Sequence, residues 1–411
     1  MSGSLVLRNA RLLDVEAGEY AETDIRCVNG RVVETGAGVR AGDGEPSIDV
    51  RGGAVLPGLI DCHVHLTAVS ANLSAIGSWS PTYVAAGAFR RMSETLDRGF
   101  TTVRDTGGAD YGLAEAQADG LVRGPRVVFG GRSLSQSGGH GDRRSRGVTV
   151  LDDHPCCAGT SRVADGVDAV RRAARDELRK GAHHIKVHAS GGVASPTDRV
   201  SSTQYSVDEL RAAVEEAEAA ERYVTTHAYP ARAINRALEA GVRCIEHGNL
   251  LDDRSIDLLL EKDAFLVPTL VTYVVLRREG MEHGLSRSSW EKVDDVLDSG
   301  LGALERAARR GVRLAYGTDL LAAMSAFENE EFRIRSQVQK PIDVIRSATT
   351  TAAELLRMTG EVGCLTPGAH ADLCVFDGDP LDDIDVLANP AEHLRMVVQA
   401  GTVVKERADT L

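Results

Sequence analysis

The 411-residue chain lacks an apolar run long enough to cross a bilayer. The longest, Phe265 to Leu276, is interrupted by Pro268, Thr269 and Thr272 and falls well short of the roughly 20 residues a helical span needs. Its start, MSGSLVLRNARLLD, lacks the basic stretch and apolar core of a secretory signal. An excess of positive charge is missing too. With 60 acidic against 47 basic residues the net charge is −13, which argues against nucleic acid and against an anionic membrane surface as partners. The seven cysteines are odd in number and none has CxxC spacing, so neither a disulfide framework nor a cysteine-based structural zinc site is indicated. A reducing cytoplasm is the expected location. The adjacent pair Cys156-Cys157 fits no motif.

What is present is ordinary globular composition, 43% apolar and 26% charged, which excludes a collagen, a coiled-coil rod and a wholly disordered chain. At about 150 residues per domain the length suits two or three domains, or one large barrel with an attachment. The opening segment reads as short strands, such as Leu5-Val6-Leu7 and Arg31-Val32-Val33, with an Asn29-Gly30 turn. From about Leu56 the texture changes. Eight short apolar runs alternate with Ala/Glu/Arg-rich stretches of helical period: Leu59–His63, Thr101–Arg104, Arg126–Phe129, His184–His188, Val224–His227, Arg243–His247, Phe265–Val267 and Arg313–Tyr316. Several of the helical stretches end in glycine, the usual C-terminal signal. Eight strand–helix repeats predict an α/β fold, a (β/α)8 TIM barrel over residues 57–358. Strand texture returns after Met358, at Asp372–Phe376 and Met396–Val398. Residues 1–56 and 359–411 are therefore expected to combine into one small β-sandwich domain.

The chemistry concentrates at strand ends. In Asp61-Cys62-His63-Val64-His65 the two histidines share a strand face, about 7 Å apart at their Cα atoms. They also sit at the strand end where barrel enzymes place their active sites. Alone, this pair also fits two polar residues at a strand terminus. The other strand ends favour metal: His227 in YVTTHA, His247 in RCIEHGN and Asp319 in RLAYGTD add nitrogen and oxygen ligands of the kind divalent cations take. Lys186, in HIKVHASGG, reads by itself as a lysine snorkelling from a barrel wall. Beside two cations an ammonium is untenable, whereas a neutral amine takes up CO₂ to become an anionic carbamate. Asp61 shares the face of His63 and is expected to orient a ligand histidine. His188 is expected to line the substrate wall, and His183 and His184 to be structural. His154, His283, His370 and His393 are expected at the surface.

With these residues in order the chain resembles the amidohydrolase superfamily. The flanking strings VLPGLIDCHVH and LTPGAHADLCVFDGDPLDDI agree, and the resemblance covers essentially the whole chain. It is similar to the binuclear subgroup with a carboxylated lysine. SQSGGHGD, IKVHASGGVASPTD and EAGVRCIEHGNLLD resemble the branch that holds prolidase-like and Xaa-Arg/Xaa-Lys dipeptidases and ochratoxin-hydrolysing amidases. The resemblance implies two divalent metal ions, zinc foremost with cobalt or manganese as alternatives. It implies that His63, His65 and Asp319 hold one metal and His227 and His247 the other, with carboxylated Lys186 and a hydroxide bridging both. Asp319 is implied as proton shuttle, His140 as a hydrogen-bond partner of the substrate carbonyl, and Tyr229 as a contact to a substrate carboxylate. The expected reaction is amide hydrolysis of a dipeptide or N-acyl amino acid, in a homo-oligomer. Three alternatives stay open: a hydrolase of aryl carbamates, phenylureas or cyclic amides with the same site, a deaminase, which Lys186 disfavours, and a non-catalytic scaffold, which the intact ligand set disfavours.

Overall fold

The computed structural model describes residues 3–149, 159–195 and 197–407; His154 and the Cys156-Cys157 pair lie outside the described residues. All eight expected runs are strands: Leu59–Val64, Phe100–Asp105, Arg126–Phe129, Ile185–His188, Val224–Pro230, Cys244–Leu250, Phe265–Val267 and Arg313–Leu314. They are parallel and nearly wholly buried, which is why their sequences run apolar on both faces. The first three form one sheet. The other five, joined by Ser133–Ser135 and Ser161–Val163, form a seven-stranded sheet. Two seams connect them. On one side His183 N donates to Phe129 O at 2.8 Å; on the other Cys62 N donates to Tyr316 O and Asp319 N to His63 O, both at 2.8 Å.

The helices between strands form for local reasons. Val207–Ala219 begins with a reciprocal cap between Ser206 and Glu209. It buries Leu210, Ala213, Val214 and Ala217 in the same core as Ile185, Val187 and Val224. Pro81–Asp97 starts on a proline, where its missing N–H goes unneeded. Gly99 and Gly241, just past two helices, both sit at φ 98°, a turn that only glycine makes without strain. Helices also follow at Tyr111–Ala118 and Asp253–Glu261. The long run from Phe265 is a three-residue strand followed by a helix, Leu270–Glu279, with Thr269 at φ 49° between them.

The chain ends do pair. Five strands between Leu5 and Pro57 join Leu373–Phe376, Leu394–Gln399 and Thr402–Glu406 in one eight-stranded sheet, the junction being Ala54–Pro57 antiparallel to Leu373–Phe376. These strands form one continuous hydrogen-bonded sheet. Alternation sends Val55, Leu373 and Val375 into a core with Leu7, Ile25 and Met396. It sends Leu56, Cys374 and Phe376 the other way, against Phe100, Tyr316 and Phe332 at the base of the parallel strands. The terminal sheet thereby shares a core with the site-bearing unit.

Candidate metal centre

His63 lies in the Leu59–Val64 strand and His65 just beyond it. Past Leu314 the chain runs without ladder partners, then turns at Asp319, whose φ is 52°. That left-handed turn aims the carboxylate back at the first strand. Asp319 Oδ1 lies 3.5 Å from His63 Nε2 and 3.2 Å from His65 Nε2. The far nitrogen of each ring is tied elsewhere: His63 Nδ1 to Glu246 Oε2 at 2.7 Å and His65 Nδ1 to the Gly107 carbonyl at 2.7 Å. Nε2 of both rings is left for a cation, the arrangement that outer carboxylates and carbonyls impose on metal-binding histidines. Gly317 has to be small, since a Cβ there would lie 2.9 Å from His63 Cβ and 2.3 Å from Val267 Cγ1.

The remaining expected residues line the same cavity: Lys186, His227, His247, His140 and Tyr229. Ring centroids of His227 and His247 are 4.6 Å apart, and those of His63 and His247 5.0 Å. His247 is turned inward by φ 73° and its Nδ1 meets Thr269 Oγ1 at 2.8 Å. His227 also stacks on His140 at 4.2 Å. Among the described residues, two groups have ligand atoms within 4.8 Å of one another: His63, His65 and Asp319, and His140, His188 and His227. The tight grouping around His227 therefore contains His140 and His188 and not His247. These nitrogen and oxygen donors fit a divalent cation.

Burial decides the protonation. It lowers His63 to about 4 and His227 to about 3, and pushes His140, His188 and His247 well below the ordinary value. All five rings are neutral at pH 7, as metal ligation requires. Burial raises the Asp319 carboxyl, but His63 and His65 outweigh it and hold the group below the usual carboxylate range. Lys186 Nζ is buried with no hydrogen-bond partner among the described residues. Burial lowers its pKa to about 8, against the pull of Glu246 and Asp319.

Two participants were missed by sequence reasoning. Glu246 holds His63 and is itself paired with Arg104, Oε1 to Nη2 at 2.7 Å, both side chains being wholly inaccessible. Thr225 Oγ1 also donates to it. The available signal was a charged residue inside each of two buried strands, Arg104 in Phe100–Asp105 and Glu246 in Cys244–Leu250. Asp61, expected to orient a ligand ring, accepts instead from the His63 and Thr318 backbone N–H groups and from Thr318 Oγ1 at 2.6 Å. It ties two strand ends together. Tyr229 accepts from the Tyr273 hydroxyl at 3.1 Å. His184 is buried against Tyr223, with ring centroids 5.7 Å apart, and His183, His283, His370 and His393 lie off the cavity lining.

Residues 54–404 match the amidohydrolase family. The ochratoxinase of Aspergillus niger is 34% identical over 350 residues, spanning 82% of this chain and 72% of that protein. A prolidase crystallised with N-methylphosphonate-L-proline superposes with TM-score 0.95 at 47% identity, covering 98% of this chain and all of the other. The crystal structure of the A. niger ochratoxinase gives TM-score 0.88 at 29% identity over 99% of this chain and 97% of that one. Among the described residues, no helix is long and apolar enough to cross a membrane.

Proposed function

Since the chain belongs to the amidohydrolase family and is a hydrolase acting on amide C–N bonds, we propose that it cleaves dipeptides or N-acyl amino acids whose C-terminal residue is apolar. The reading rests on one observation: His63, His65, Asp319, Lys186, His227 and His247 face a single cavity together with His140 and Tyr229. These residues would hold two divalent metal ions, which supply a Lewis acid and water of lowered pKa when bound.

The chain's own groups do the rest. Lys186, with a pKa near 8, presents enough neutral amine at pH 7 to add to CO₂. The new N–C bond releases one proton and leaves an anionic carboxylate where an ammonium would repel cations. Asp319, held ionised, takes the proton of the attacking water at a carboxylate oxygen and returns it to the leaving nitrogen. His140, held through Nδ1 at 2.9 Å from Ser195 Oγ and stacked on His227, packs beside the scissile amide. The Tyr229 hydroxyl, which accepts from Tyr273, keeps its own proton to donate to a substrate carboxylate.

Leu73, Val193, Leu276 and Leu321 make an apolar wall, and Asp319 is the one acid among the described lining residues. A leaving arginine or lysine would find no other carboxylate to pair with, so apolar residues are favoured. The free volume is about 40 Å³, well under the ~300 Å³ of a small-molecule pocket, so the wall must part to admit substrate. The test is a mass-spectrometric screen of L-dipeptides and N-acyl amino acids with zinc-loaded protein. Cleavage of substrates ending in leucine, phenylalanine or proline, abolished by chelator, is expected. Absence of amide cleavage with two metals bound, or equal cleavage of substrates ending in arginine, would refute it.

A further inference from the structure

Arg143 follows the SQSGGHGD string and its side chain lines the cavity beside the histidines. It has little to hold it there. Nη1 donates to the Ala194 carbonyl at 2.9 Å, a neutral acceptor. Its Nε is buried without a hydrogen-bond partner among the described residues. A guanidinium in such a place is costly without a counter-charge.

The three carboxylates that influence it are committed elsewhere. Asp142 takes Arg144 through both oxygens, at 2.8 and 2.6 Å, and the Gly138 N–H at 2.9 Å. Asp198 takes Gln204 Nε2 at 3.0 Å, the Gly192 N–H at 3.2 Å and the Ser195 hydroxyl. Asp319 faces His63 and His65. The loop that presents Ala194 is pinned from outside by Lys292 Nζ, which donates to the Gly192 and Ser195 carbonyls at 2.8 Å each. The guanidinium is thus positioned by a braced backbone while, among the described residues, its charge stays unpaired.

We infer that Arg143 receives the α-carboxylate of the substrate and makes the enzyme select acids over their neutral analogues. A guanidinium fork matches a carboxylate with two parallel hydrogen bonds, and Tyr229 then contributes a neutral donor beside it. The inference rests on the amide-hydrolase reading for which product carries that carboxylate, namely the released amino acid.

L-leucine and L-leucinol differ only in that group, and neither has an amide to cleave. Calorimetric titration of zinc-loaded protein is expected to show L-leucine bound at least about tenfold tighter. Arg143→Met should reduce the preference to within about twofold while L-leucinol affinity stays put. Arg143→Gln, whose amide still reaches the Ala194 carbonyl, should do the same and covers the case in which the methionine variant misfolds. A wild-type protein that does not distinguish the two ligands, or variants that keep the preference, would overturn the inference. Equal weakening of both ligands would reduce Arg143 to a loop strap and overturn it as well. The dipeptide screen is read separately. A chain that cleaves no dipeptide yet shows the Arg143-dependent preference loses the amide reading and keeps the carboxylate site.

Discussion

His63 is gripped from two sides, and each grip has a measurable consequence. On the Nε2 side stands Asp319, which touches both histidines of the HxH pair. Asparagine in its place keeps shape and one oxygen ligand but cannot carry a proton. Asp319→Asn is therefore expected to cut kcat by roughly 10²- to 10⁴-fold while metal content, read by elemental analysis, falls far less; parallel losses would make Asp319 a ligand only. On the Nδ1 side Glu246 fixes the ring and its tautomer. Glu246→Gln should weaken metal binding about 10- to 100-fold in competition with a chromophoric chelator, with kcat at saturating metal changed much less. It should also lower the melting temperature, because Arg104 is left as a buried unpaired charge. The proposed ligands were legible as candidates because nitrogen and oxygen donors recurred at strand ends. Glu246 and Arg104 were not, since their partners come from strands about 140 residues apart in the chain, Arg104 and Glu246 themselves being the pair, and periodicity carries no information about such pairings.

Strand alternation placed the HxH pair but could not place Asp319 or His247. Both sit at positive φ, so each side chain leaves its strand in a direction that period-two counting does not give. The same local backbone logic governs the loop after Ile185–His188. Gly192 lies under the His140 ring, where a Cβ would come within 2.2 Å of Cε1 and 2.4 Å of Nδ1. No atom at those distances is tolerated, and the ring, stacked on His227, has to move. Gly192→Ala is expected to lower kcat about 100-fold, the scale of displacing a group at the reacting centre by about 1 Å. His63, His65 and Asp319, proposed to hold one metal, are carried by other segments, so at least that zinc should be retained. A variant with unchanged kcat would remove His140 from the reaction. Which atom approaches Gly192 was not legible, because the SQSGGHGD and ASGGV loops meet only in the folded chain.

At the scale of the molecule, strand–helix alternation revealed the parallel strands, and strand texture at both ends revealed that the termini contribute sheet. The single continuous sheet, and its core shared with Phe100 and Tyr316, could not be read, because pairing Ala54–Pro57 with Leu373–Phe376 joins segments more than 300 residues apart. The concentration of neutral histidines in this one interior has a global effect. Burial holds eight described histidines, among them His63 at about 4 and His227 at about 3, below the value near 6.5 of an unfolded chain. Between pH 6.5 and 4 the unfolded chain binds protons that the folded chain refuses, so stability is full above 6.5 and is lost as pH falls, by up to about 1.4 kcal/mol per unit for a ring whose folded pKa lies below that pH. Asp61, Asp105 and Glu331, raised by burial, act in the opposite sense, but three carboxyls are outnumbered by eight rings. Chelator-treated protein should therefore melt at nearly constant temperature from pH 8 to 7 and progressively lower from pH 6 to 4. Zinc-loaded protein should melt higher at pH 7, since metal binds the folded site alone. It should also keep its metal below pH 6, because protons do not compete for rings already held neutral. A melting temperature independent of pH across that window, or metal lost at the pH where free histidine protonates, would show that the interior rings are solvated rather than packed.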